Sequence, residues 1–322
     1  MGLIRRRDRR HHCRHRLGYR PEARPIVPER LQDLAASFAR HLRAERKAAR
    51  TVVIYGQSVR FFSDWLEAQG RPATLDELTR SALREWLAQL NEVNSAATVK
   101  TRYRGMYRFC GWLIDEDEIT TNPLDGINLD PPPMKPVPVL SDDELTAILK
   151  ACTGKTFNDR RDEAIVRLLL DCGLRVSELC GLSVDVDLNG GTAMVLGKGD
   201  KPRAIYFGAR TTVALDRYLR QRRSHRWAHL PQLFLTQRGA LSPDGARDRI
   251  KLRGNQAGIP DLHPHRFRHT WAHDFLVSGG QERDLKRLAG WSSDAMLERY
   301  GNSAADARAK AAARRMSRGD RV

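Results

Sequence analysis

LHPHRFRHTWAH, residues 262–273, and LKRLAGWSSDAMLERYGN, residues 285–302, are the two stretches whose reading decides the fold. The first carries His263, His265, His269 and His273 together with Arg266 and Arg268. The second carries Trp291 and, near its end, Tyr300. A Gly279-Gly280 break separates the helical patterns that hold them. Imidazoles and guanidiniums crowded this closely in a basic chain point to work on a phosphate rather than to simple solvation.

The charge balance points the same way. Fifty-six Lys and Arg against 39 Asp and Glu leave a formal charge of +17 over 322 residues. Such an excess suits a polyanion, either nucleic acid or an anionic membrane. No run approaches the ~20 apolar residues of a membrane span, and no apolar h-region follows Met1, so nucleic acid is favoured and no membrane is expected. Apolar residues make up 41% of the chain, enough for a globular protein of two domains. The five cysteines (Cys13, Cys110, Cys152, Cys172, Cys180) are odd in number and include no CxxC. That suits buried thiols in a reducing cytoplasm, not a disulfide framework or a zinc module. The HHCRH cluster at 11–15 lacks paired ligand spacing, so no metal is expected, and nothing calls for a cofactor.

In chain order, residues 1–25 hold nine arginines against two acids and read as a basic disordered tail, with a DNA-contacting arm as the alternative. Residues 26–120 are helical throughout. Leu31, Leu34, Ala35, Phe38 and Leu42 mark one helix; Tyr55, Val59, Phe62 and Trp65 mark a second, ended by Gly70. Thr74 and Glu77 have capping-box spacing ahead of a third helical region with Leu83, Trp86, Leu87 and Leu90. Val99, Tyr103, Met106, Phe109 and Leu113 stripe a fourth. Arg60, Lys100, Arg102, Arg104 and Arg108 lie between these apolar positions, as a basic face that is either solvated or set against a DNA backbone. Residues 121–140 form a linker in which PPPMKPVP, 131–138, is too proline-rich for a helix.

The second domain, 141–303, opens on a Ser141–Glu144 cap. A helix through Arg161–Leu170 ends at Cys172-Gly173, and LRVSELCGL, 174–182, follows as a short helical turn. Gly191–Leu196 and Pro202–Phe207 then read as a β-hairpin around GKGDK, with Lys198 at its tip. Thr212–Arg222 and Ser242–Ala257 return to helix. The fold expected is therefore mainly α with a small β-hairpin in the C-terminal domain. GKGDK is not a phosphate loop, because the upstream glycine spacing is wrong and Lys198 is followed by Gly199 rather than Ser or Thr.

Taken in order, Gly-Leu-Arg175-Val-Ser-Glu178, the hairpin Lys198, His265-Arg-Phe-Arg268-His269, LAGWSS with Trp291, and Tyr300 nine residues later resemble the tyrosine recombinase (phage integrase) family. The match spans residues 140–305, and residues 26–120 resemble, in pattern only, the family's helical SAM-like core-binding domain. The resemblance implies a catalytic set of Arg175, Lys198, His265, Arg268, Trp291 and Tyr300, with Glu178 and His269 supporting it. Where Trp291 stands the family usually has His, which removes one titratable group. His263, His269 and His273 are expected to be scaffold. The resemblance further implies a site-specific recombinase that cuts and rejoins double-stranded DNA through a 3′-phosphotyrosine and a Holliday junction. It would act as a homo-tetramer on synapsed DNA and be monomeric or dimeric when free. Residues 304–322, rich in Ala and Arg, would form a terminal helix that docks on a neighbouring protomer.

The chemistry stands beside the resemblance. Breaking a phosphodiester with a protein nucleophile needs charge neutralised at the phosphate and a proton for the departing oxygen. Tyr300 suits the first role, Arg175 and Arg268 the second, and Lys198 the third. Two alternatives use the same residues or the same fold. One is site-independent DNA relaxation of the type IB topoisomerase kind; the other is a catalytically silent DNA-binding regulator.

Overall fold

Four helices build the first part of the chain because their apolar residues recur on one face: α1 (Leu31–Ala44), α2 (Ala49–Ala68), α3 (Arg80–Val93) and α4 (Ala96–Asp115). The computed structural model describes residues 29–129, 138–197, 201–291, 293–294, 297, 305, 308–310 and 312–321. The basic tail, residues 130–137 of the linker, Lys198 and Tyr300 lie outside the described residues. The chain divides into two units, Met1–Met134 and Lys135–Val322.

In the first unit Phe38, Phe62, Trp86 and Phe109 are fully enclosed, with Phe38 edge-on to Phe109 at 5.5 Å and Phe62 edge-on to Trp86 at 5.4 Å. Helices α2 and α4 approach closely at Gly105, where an added Cβ would stand 2.3 Å from the Ser58 hydroxyl oxygen. One expectation fails here. Thr74 and Glu77 do not cap the third helix: they bound a short 3-10 turn, Leu75–Glu77, and the Thr74 side chain makes no capping bond. Thr79 is the cap, its Oγ1 accepting from the Ala82 amide at 3.2 Å. Glu77 instead receives the Arg71 guanidinium, so an ion pair outcompeted the box.

The second unit begins with α5 (Asp142–Ala151), and the Ser141–Glu144 capping box forms in both directions. Helix α6 (Phe157–Cys172) has a box of its own at Thr156–Asp159 and ends at Gly173, whose φ of +55° is the left-handed geometry expected of a terminating glycine. The short α7 (Val176–Cys180) leads to an antiparallel hairpin of β1 (Thr192–Leu196) and β2 (Pro202–Tyr206), in register with Val195 opposite Arg203. Then follow α8 (Ala209–Arg222), a second ladder of β3 (Leu235–Thr236) and β4 (Gly239–Ala240), α9 (Pro243–Gln256), α10 (Pro264–Val277) and α11 (Glu282–Ala289). The β3–β4 ladder was not expected, because two-residue strands show no period. Residues 305, 308–310 and 312–315 are helical, and Arg308 there pairs with Glu282 of α11 at 3.0 Å.

One carboxylate staples this unit. Asp162 on α6 is 2% exposed and receives Arg161 at 2.9 Å, Arg249 at 2.6 Å and Arg253 at 2.8 Å. Arg253 continues to the Ala151 carbonyl at 2.8 Å, and Arg161 to the Leu235 carbonyl at 3.0 Å, so α5, α6, α9 and β3 meet on one charge. The four cysteines among the described residues are buried, and burial pushes the Cys110 and Cys152 thiols up to about 12. Among the described residues no helix is long and apolar enough to cross a membrane. Asp162→Asn should cost the second unit roughly 3–5 kcal/mol, read as a lowered urea midpoint, because three guanidiniums lose their shared counter-charge.

Candidate active site

The described residues of the expected set converge on the second unit, beginning with Arg268. Its position on α10 follows from a helix that opens with Pro264 and turns Arg268, His269 and Phe267 inward. Arg268 is 1% exposed. Its Nη1 donates to the Gly173 carbonyl, and its Nη2 to the Ala289 carbonyl at 2.7 Å. The guanidinium carbon lies 5.4 Å from the centroid of the Trp291 ring, in cation–π range. A single side chain therefore joins the segment two residues before Arg175 to the segment two residues before Trp291.

Gly173 makes that junction possible. Its φ is +55°, and an added Cβ would lie 2.1 Å from Cε3 of Trp271. The chain then turns into Arg175, which sits at the N-terminus of α7 and is about one-third exposed. Glu178 receives Arg175 twice, from the backbone N–H at 2.9 Å and from Nη1 at 2.8 Å. Glu178 itself is buried, with its side chain 3% exposed.

His265 is exposed in the first turn of α10, with its ring 6.4 Å from that of His263. It stands three residues before Arg268, close to the same helical face. Burial, then the neighbouring Arg266 guanidinium, hold the His263 imidazole below its ordinary range, with Asp261 opposing. His269 is buried, as is Trp291 at 6% exposure. Arg266 is an anchor, pairing with Asp261 at 3.0 Å and Glu144 at 3.3 Å.

A residue absent from the sequence reading joins this site. Arg203 on β2 donates from Nη2 to Glu178 at 2.9 Å, so two guanidiniums share one carboxylate. Its Nε and Nη1 are buried without a hydrogen-bond partner, and leaving a buried donor unpaired costs about 1–3 kcal/mol each. Burial first, then repulsion from Arg175, lower its pKa against the pull of Glu178. The signal was there in the period-two pattern: Arg203, Ile205 and Phe207 share the inward face of the strand.

In the first unit the five basic residues do not form one face. Lys100, Arg104 and Arg108 follow each other at four-residue spacing along α4, and Arg104 and Arg108 line a cavity of about 400 Å³ with Tyr55, Tyr103 and Tyr107. Arg102 points to another side, stacked 4.3 Å over Phe61 beside Trp65 and Trp86. Arg60 is exposed beside Asp64 at 3.8 Å, its guanidinium 5.7 Å from the same Phe61 ring. The helical period splits what looked like a single cluster in sequence.

Comparison with known proteins places this geometry in context. The phage integrase family model matches residues 138–307, and that family's N-terminal SAM-like domain matches residues 35–117. The chain is 32% identical to the tyrosine recombinase XerC of Pelobacter propionicus over 285 residues, covering 84% of this chain and 90% of the relative. It is 29% identical to the tyrosine recombinase XerD of Bifidobacterium longum, covering 83% and 91%. Among solved structures, the XerH site-specific recombinase bound to a palindromic difH substrate superimposes with a TM-score of 0.70 at 18% identity, covering 88% of this chain and 84% of that one. A lambda integrase dimer bound to a COC′ core site superimposes with a TM-score of 0.64 at 18% identity, covering 83% and 96%.

Gly173→Ala should destabilise the second unit by about 1–3 kcal/mol, measured by chemical denaturation, since it strains a left-handed residue and drives a methyl into Trp271.

Proposed function

Because the chain belongs to the phage integrase family of tyrosine-type site-specific recombinases, we propose that it cuts and rejoins duplex DNA with Tyr300 as the nucleophile. The observation that carries the reading is the Arg268 junction, in which one buried guanidinium gathers the segments leading to Arg175 and to Trp291.

The phenolic oxygen of Tyr300 attacks the scissile phosphorus, forming a 3′-phosphotyrosine and breaking the bond to the 5′ oxygen. The phenol's proton leaves with help from His265, and Lys198 gives a proton to the departing 5′ oxygen. Arg175 and Arg268 neutralise the non-bridging oxygens, with Glu178 orienting Arg175. Trp291 closes the site wall and cradles Arg268, and His269 supports the helix beneath. The aryl phosphate keeps the energy of the broken bond, so the 5′ hydroxyl of a partner strand reverses the step on the same enzyme. Two such exchanges, through a Holliday junction, yield recombinants. Four protomers synapse two sites, and the helical segment after residue 304 couples neighbours. The reaction runs in the cytoplasm, where the DNA is.

Site-independent relaxation and silent regulation are not favoured: the curated relatives carry recombinase names and match along about nine-tenths of their length.

The test begins with sheared genomic DNA from the source organism. The unaltered chain should hold specific fragments through denaturing washes, and sequencing them identifies the site. Tyr300→Phe should bind those fragments in gel shifts yet retain none after denaturation. Covalent retention by that variant would sink the assignment. A second measurement concerns the first unit. Lys100→Ala and Arg104→Ala should each lower the slope of log binding constant against log salt by about 1, while Arg102→Ala, stacked on Phe61, should leave it unchanged.

A further inference from the structure

Arg203 is a largely buried cation beside the site that the chemistry above does not use. It stands on β2 opposite Val195 of β1, and Gly197 donates to the Lys201 carbonyl at 2.9 Å where the ladder closes. In sequence Lys198 follows directly on that closing residue. The Arg203 side chain, 13% exposed, reaches away from its own hairpin to Glu178, whose other oxygen holds Arg175. It also runs under Gly290, the residue before Trp291: a Cβ there would come within 3.0 Å of Arg203 Nε. The lack of a side chain at Gly290 leaves room for the guanidinium.

One feature separates this arrangement from a structural staple such as Asp162, where one carboxylate is likewise shared by several arginines. Two of the Arg203 donors are buried and unpaired, which a residue selected only for stability would avoid. An apolar residue facing Ile205 and Phe207 would fill the space without that cost.

We propose that Arg203 is a positioning residue: it pins the root of the Lys198 hairpin to the Glu178–Arg175 pair, and so sets the proton donor in register with the arginine on the phosphate. This rests on the recombinase reading and deepens it. Ala193, Val195 and Ile205 hold the two strands in the core, whereas Arg203 ties the part of the ladder next to the turn to Glu178. A tether from the hairpin root to the side chain that orients the phosphate-binding arginine limits how far that part can shift. Misplacement by about 1 Å is enough to cost roughly 100-fold in rate.

The test uses the full chain and nicked duplexes made from the DNA that the unaltered chain captures covalently. One duplex has an ordinary 5′ oxygen at the cleaved bond. The other has a bridging 5′ sulfur, whose thiolate departs without a proton. Arg203→Ala should bind both duplexes as the unaltered chain does, and cleave the oxygen duplex roughly 100-fold more slowly. On the sulfur duplex most of that loss should vanish. Should Arg203→Ala lose its folded far-UV spectrum, Arg203→Lys decides by the same comparison, with a roughly tenfold defect expected on oxygen alone. Equal defects on the two duplexes would mean that Arg203 acts on the phosphate or on folding, and would overturn the proposal. So would an undiminished rate on oxygen. Failure of the unaltered chain to capture any DNA would instead defeat the recombinase reading, and this one with it.

Discussion

The second unit depends on placing a permanent positive charge where water does not reach. Arg268 is 1% exposed, and a guanidinium taken out of water loses several kcal/mol of solvation unless the protein replaces it. Two backbone carbonyls and the face of an indole do so. Both carbonyls sit at left-handed glycine junctions: Gly173 ends α6, and Ala289 precedes Gly290, which ends α11. Each helix end exposes carbonyls that lack intrahelical partners, and the buried cation takes up one from each. Helix termination and the burial of Arg268 are thus coupled. The local rule that glycine ends a helix delivers the acceptor that a distant arginine needs.

The same logic is repeated with opposite sign at Asp162. There one buried carboxylate draws arginines from α6 and α9, and their remaining donors bind carbonyls of α5 and β3. At Glu178 a third buried charge gathers Arg175 and Arg203. With this many arginines in the unit's interior, loss of any one carboxylate would leave an uncompensated buried charge. At Glu178 two guanidiniums against one carboxylate leave an excess of positive charge.

Local signals were read where they stood alone. The Ser141–Glu144 box, the glycine after Cys172, the strand ladder on either side of GKGDK and the stripes of α1, α2 and α4 depend on residues within a few positions of each other, and each formed. The Thr74–Glu77 spacing failed because Glu77 had a better partner in Arg71, which no spacing rule sees. The basic residues of the first unit looked like one patch because they are close in sequence. The turn of the helix sent Arg102 onto Phe61 and left Arg104 and Arg108 beside three tyrosines.

By itself the sequence determined the family and the order of helices and hairpin, because these rest on residue type, period and motif order. Only the tertiary structure decided which charges are buried and what they share. It made Arg268 a junction between segments 95 and 21 residues away, and set Arg203 against Glu178 across 25. Desolvation explains the division. Whether a guanidinium meets water, a carbonyl or a carboxylate depends on elements far off in the chain, and the energy of a charge depends on little else.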